Sequence, residues 1–402
     1  MQSGPALLLP GLLSASVLSA PRTAMPAPVS ASWGRLSFAT GSSLEKVNRN
    51  VRLMTAGPLL ATVQQSPLFD DCKTFVDMPM KVDPEDVMAA YYRLPSSPTV
   101  DELRAFIDDH FLPAGHDIVH CEPLDFEADP KFVRGIASEE LREFGYYLHS
   151  IWPQLFRRVD PSVREHQQRH SLLALPYPTV VPGGRFRESY YWDTYWIVEG
   201  LLVSGLHTSA RGTIKNLLSY IESFGFVPNG GRCYYMDRSQ PPMLSEMVLA
   251  YYRATGDIAL LRHALPLLDR EYSFWMTGSR DQRRGHAITL TDEATGQQHV
   301  LNVFRSCQVI ALRASPLATC RAHARVPTAT PLQATPRPES YREDVELAHE
   351  LDEPERDRLW CNIRAAAESG WDFSSRWMAD GHSLQSTSTC DSAPKATPSS
   401  IR

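Results

Sequence analysis

The chain has 402 residues, 43% of them hydrophobic, enough to bury one large core or two smaller ones. Its formal net charge is -6 at pH 7, with a pI near 6.1 and a mean hydropathy of -0.27. No dense Lys/Arg block occurs, so the balance excludes the footprint of a nucleic-acid or anionic-membrane binder and favours a neutral or polar small substrate.

An apolar run from Leu7 to Leu18, followed by small residues, has the outline of a secretory leader cleaved after Ala20. Pro10 and Gly11 interrupt it and no Lys or Arg precedes Arg22, so the outline is incomplete. Residues 1–45 are rich in Ala, Ser and Pro and read as a leader or disordered arm. No segment approaches the roughly 20 apolar residues of a transmembrane helix, and no N-x-S/T sequon is present.

Helical signals dominate from about residue 84. Thr99 and Glu102 form a capping-box pattern ahead of Leu103, Phe106 and Ile107. Leu141, Phe144, Leu148, Ile151, Trp152 and Leu155 keep a helical period behind Glu139 and Glu140, which suit the positive end of a helix dipole. Further stripes run through Trp192, Trp196 and Leu201, through Ile214, Leu217, Leu218 and Ile221, and from Met243 to Tyr251, with Gly256 as a stop. His286–Leu290 and His299–Val303, joined through Asp292–Gly296, read as a β-hairpin. Pro354 sits at a tolerant first-turn position ahead of Leu359, Ile363 and Ala366.

Two segments break the pattern. Residues 304–335, with no Asp, Glu or Gly, read as a divergent disordered insertion, and 378–402, dominated by Ser, Thr, Ala and Pro, as a disordered tail. The seven cysteines (Cys72, Cys121, Cys233, Cys307, Cys320, Cys361 and Cys390) show no C-x-x-C spacing, which argues against a metal site. Nothing calls for a metal, nucleotide or redox cofactor.

The chemistry concentrates at helix junctions. Pro182-Gly183-Gly184-Arg185-Phe186-Arg187-Glu188-Ser189-Tyr190-Tyr191-Trp192-Asp193 runs from a loop straight into a helix. Glycines let backbone approach a ligand, Arg and Asp bond hydroxyls, and Trp or Tyr faces cover the C–H side of a sugar ring. The same grammar returns at Asn229-Gly230-Gly231-Arg232, at Arg238-Ser239-Gln240-Pro241-Pro242, at Arg337-Pro338-Glu339-Ser340-Tyr341 and at Glu368-Ser369-Gly370-Trp371-Asp372. Such loops would converge at one end of an all-α toroid or bundle and line one pocket.

In order and wording these segments resemble the trehalases, over about residues 58–377, and the Asp70–Pro79 run (DDCKTFVDMP) resembles that family's early segment. The resemblance implies an (α/α)6 toroid and hydrolysis of α,α-trehalose to two glucose molecules with inversion. It implies Asp372 as the general acid, whose aromatic neighbours would desolvate the carboxyl and raise its pKa. By the same resemblance Arg185, Arg238 and Arg337 would grip glucose hydroxyls, with Trp192, Asp193, Asn229, Ser239, Gln240, Glu339 and Gly370 as the other binding positions. Glu188 and Glu339 would serve as supporting or hydrogen-bonding carboxylates. An extracellular or cell-surface location is implied as well.

The resemblance also has a boundary. An inverting glycosidase needs a second carboxylate about 6.5–9.5 Å from the acid, and in trehalases that base lies well downstream of the Trp371-Asp372 motif. This chain continues for 30 residues beyond Asp372 without the family's second signature. The expectation is therefore an incomplete catalytic domain over 46–377, a toroid lacking its C-terminal hairpins, and weak or absent turnover. The insertion stands where the family has a short aromatic link and leaves the placement of Arg337 and Glu339 open. The alternatives are a sugar-binding module without the base, a non-native fragment, or another helical-toroid glycosidase.

Overall fold

A computed structural model of the chain describes residues 57–276, 285–304 and 335–371. The leader, the insertion between 305 and 334, Asp372 and the tail lie outside the described residues.

Four helices open the fold: α1 (Pro58–Gln65), α2 (Cys72–Val76), α3 (Pro84–Tyr91) and α4 (Val100–His110). Proline enters α1 and α3 in the first turn, where a missing N–H costs nothing. Asp71 caps α2 by accepting from the Lys73 amide at 2.8 Å. The expected Thr99–Glu102 capping box starts α4, with the Thr99 amide donating to the Glu102 carboxylate at 2.8 Å. Leu103, Phe106 and Ile107 then share one face and bury against Leu59, Phe75 and Val87. Each such side chain contributes about 1.5–3 kcal/mol on burial.

The middle of the chain holds an antiparallel sheet, β1 (Ile118–His120), β2 (Phe156–Val159) and β3 (Thr179–Val180), in that order. The sequence reading does not contain it. Its strands are two to four residues long, too short for an alternating pattern to register. Between β1 and β2 lies α5 (Glu139–Ser150), capped by Ser138. Its predicted apolar stripe is real but largely uncovered: Leu141, Phe144 and Leu148 are 60%, 54% and 47% exposed, because no described element packs over that face.

Beyond the sheet, α6 (Asp193–Val203), α7 (His207–Phe224), α8 (Leu244–Thr255) and α9 (Ile258–Met276) pack in sequential pairs. Their core is formed by Val198, Leu201, Ile214, Leu217, Leu244 and Met247. As expected, α8 stops at Gly256, which adopts φ 69°. The expected hairpin appears as β4 (Ala287–Thr291) and β5 (Gln298–Asn302), with Thr289 opposite Val300. Last come α10 (Tyr341–Leu347) and α11 (Glu353–Ser369), the latter with Pro354 in its first turn and an Asp352–Glu355 capping box. The described fold is predominantly helical, the all-α class that the stripes implied. Among the described residues no helix is long and apolar enough to cross a membrane.

One buried carboxyl gives this helical core a pH dependence. Glu271 on α9 is buried and accepts from the Tyr191 hydroxyl at 2.5 Å; burial pushes its carboxyl up to about 7, against the partial opposition of that bond. The folded state therefore holds the proton more tightly than an unfolded chain, whose Glu titrates near roughly 4.3. The stability this group contributes is fully present below that value and is lost as pH rises through about 7. The Glu271→Gln protein is expected to melt above the parent at pH 8, with the gap closing toward pH 4. Thermal unfolding at both pH values checks it.

Candidate active site

The signature loop leaves β3 and turns at Gly183 and Gly184, whose φ values of 102° and 60° suit glycine. That turn sends Arg185 outward, where its guanidinium makes a two-pronged contact with Asp71, Nε to Oδ2 at 2.7 Å and Nη2 to Oδ1 at 2.6 Å. Burial would push the Asp71 carboxyl up, but Arg185 and the Lys73 amide together hold it below the usual range. Nη2 of Arg185 also reaches the Glu339 carbonyl at 3.4 Å.

Glu188 goes the other way. It is fully buried, 2.8 Å from Lys73 Nζ and 3.1 Å from Arg232 Nε, and accepts from the Tyr190 hydroxyl. The cluster extends to Asp77, 2.6 Å from Lys73, and to Asp117, 3.3 Å from Arg232 Nη1. Burial alone would push all three carboxyls up. At Glu188 and Asp117 the neighbouring cations prevail and hold the carboxyls low, whereas Asp77 stays raised. Glu188 is thus sealed into a structural ion network, and of its two expected uses only the supporting one remains.

The Asn229–Arg232 loop lies across the signature. Tyr191 N–H donates to the Asn229 carbonyl at 3.1 Å, and Asn229 N–H to the Arg238 carbonyl at 2.9 Å. A Cβ on Gly230 would stand 2.8 Å from the Tyr235 ring, so this approach requires glycine. Arg238 is almost fully buried over that ring; its Nη1 donates to Asp237 at 2.9 Å and its Nη2 to Glu339 Oε1 at 2.7 Å. Gln240 Oε1 accepts from the Trp192 amide at 3.1 Å. Ser239 N–H donates to Glu368 Oε1 at 2.9 Å, and the same oxygen bonds His286 Nε2 at 3.0 Å.

Arg337 is held by Asp344, with Nη2 to Oδ1 at 2.8 Å. Burial would raise the Glu339 carboxyl, but the Arg238 and Arg337 guanidiniums outweigh it and keep it ionised. Gly370 ends α11 at φ 69°, and its α-carbon lies directly against the Trp192 ring. Asp193, in the first turn of α6, is half-buried, and burial pushes its carboxyl up.

The predicted binding residues therefore fall on loops and helix ends at neighbouring junctions. Arg185, Arg238 and Arg337 converge on Glu339: through its carbonyl, through its carboxylate, and by charge. Two buried atoms at this point, Arg238 Nε and Glu339 Oε2, have no hydrogen-bond partner among the described residues. The sequence reading does not single out Asp71, Asp237, Asp344 or Glu368, the groups that hold the arginines and the loops in place. Asp71 and Glu368 stand inside matched segments, which was the available signal.

A family model described as Trehalase matches residues 67–395. The chain belongs to the trehalase family. It is 38% identical to the trehalase of Homo sapiens over 336 residues, which is 83% of this chain and 52% of that protein. Against the trehalase of Apis mellifera it is 38% identical over 327 residues, 80% of this chain and 47% of the relative. The chain thus spans about half the length of the trehalases it matches. Among solved structures, the neutral trehalase of Saccharomyces cerevisiae aligns with 28% identity and a TM-score of 0.31, over 50% of this chain and 34% of that one.

The trehalase-type loops depend on a close glycine contact that can be isolated. In Gly370→Ala the new Cβ would lie 2.9 Å from the Trp192 ring at φ 69°, whereas Gly256→Ala meets nothing within 4 Å at the same φ. Both variants carry the left-handed strain of roughly 1 kcal/mol. Only Gly370→Ala is expected to lose about 1 kcal/mol more, as overpacking does, and to shift tryptophan emission. Denaturant titration of the pair reads the difference.

Proposed function

We propose that the converging loops form the glucose-binding wall of an α,α-trehalase site. Trehalose would be hydrolysed to two glucose molecules with inversion, with Asp372 as the acid that protonates the glycosidic oxygen. The observation that carries this reading is the convergence of Arg185, Arg238 and Arg337 on Glu339. Guanidinium and carboxylate groups gathered in this way are the charge-assisted partners that grip sugar hydroxyls.

The remaining roles follow from placement. Trp192 offers an aromatic face fixed from behind by Gly370, Asp193 and Gln240 add polar groups beside it, and Arg185 closes the mouth on its Asp71 strut. Asn229, Ser239 and Arg337 keep the wall in register through their own backbone or carboxylate partners.

Inversion also needs a general base. Glu188, Glu339 and Glu368 each already serve cations, a backbone amide or an imidazole. None of these carboxylates is offered as that base. This favours, as a second reading, a sugar-binding module that holds trehalose without turning it over.

Calorimetry and a glucose-release assay on the 402-residue chain test both readings. Saturable trehalose binding is expected, weakened at least tenfold by Arg238→Ala, together with little glucose release. Absence of trehalose binding by a cooperatively folded chain would sink the trehalase-site reading, and rapid glucose release would sink the module reading.

A further inference from the structure

On the far side of the signature turn lies an open cavity of about 230 Å³, lined by Gly115, Gly183, Gly184, Arg157 and Arg187 among others. None of the three arginines assigned to glucose lines it. Arg157 Nη1 donates to the carbonyls of Gln154 and Phe156 at 2.7 and 2.8 Å. Arg187 Nη1 donates to the Ala114 carbonyl at 2.8 Å, and its Nε to the Gly184 carbonyl at 3.3 Å.

Carbonyls fix a guanidinium in place but do not neutralise it. Arg185, Arg232, Arg238 and Arg337 each have a carboxylate within ion-pair distance. Among the described residues Arg157 and Arg187 have none, and their Nη2 groups meet no acceptor. A half-buried Arg157 and an exposed Arg187, each hydrogen-bonded to carbonyls on one concave wall, match the charge-assisted, fork-like contacts that bind oxyanions. The glycines complete the fit, since a Cβ on Gly115 would sit 2.8 Å from Arg187 Nη1.

We propose that this cavity binds a small phosphate-class oxyanion, either free phosphate or the phosphoryl group of a sugar phosphate. The cavity shares its wall with the sugar site: Arg187 is tied to Gly184, and Arg185 is the next residue. An anion that draws on Arg187 therefore acts on the turn that presents Arg185. Linkage then requires anion and sugar to change each other's affinity by the same factor, a clause that rests on the trehalase-site reading while the anion site itself does not.

The test is calorimetric titration of the 402-residue chain with inorganic phosphate, and in a second arm glucose 6-phosphate, at ionic strength matched with chloride. One saturable site is expected. Affinity should fall at least tenfold in the Arg157→Gln/Arg187→Gln double variant and in Ala114→Glu, which supplies a competing carboxylate, with cooperative melting retained. Tighter binding of glucose 6-phosphate than of phosphate would identify a sugar phosphate as the occupant, and equal binding free phosphate. No saturable binding by the folded parent, or unchanged affinity in either folded variant, overturns the site. Equal trehalose affinity with and without saturating phosphate overturns the coupling alone.

Discussion

Glu188 has no solvent exposure, and a carboxylate carried into an interior costs several kcal/mol unless cations and donors meet it there. It is met from three separate stretches of chain: Lys73 of α2, Arg232 of the Asn229 loop, and Tyr190 two residues along its own loop. Arg232 continues the chain of charge to Asp117, just ahead of β1. The signature loop can therefore lie in one place only, because moving it strands Glu188 and both cations together. Helix packing brings these segments near one another, and the ion network sets their register.

Above that sealed layer the same residue types behave differently. Arg232 and Arg238 are six positions apart on one loop, and both are almost fully buried. Arg232 faces three carboxylates and closes the interior. Arg238 faces Asp237 and Glu339 yet keeps Nε unmet, beside an unmet Glu339 oxygen. Both layers leave a donor and an acceptor over, since Arg232 Nη2 and Asp117 Oδ1 in the lower layer also lack hydrogen-bond partners among the described residues. The two layers differ in their partners: Arg232 joins Asp77, Asp117 and Glu188, whereas Arg238 joins Asp237 and Glu339.

What could be read from the sequence was what local physics decides. The Thr99 cap, the Pro354 entry, the Gly256 stop and the β4–β5 hairpin each depend on residues a few positions apart. Convergence of the sugar-type loops was also legible, because the motifs resemble a known family in the same order. Long-range partnerships were not. Nothing near Glu188 announces that Lys73, 115 positions away, occupies it, and nothing near Arg185 announces the Asp71 strut. Helical periodicity identified α5 but could not say whether its apolar face is covered. Asp372, the expected acid, lies outside the described residues.

The C-terminal half of α11 is tightly held. Asp237 bridges Arg238 and Arg364 of α11, at 2.9 Å on each side. One turn further along, Glu368 receives the Ser239 amide and the His286 imidazole. Gly370 then closes the helix against the Trp192 ring, whose own amide is tied to Gln240. The end of α11 is therefore cross-linked to the loop that carries Arg238 and to Trp192. A shift of α11 would displace the arginine and the ring as one unit.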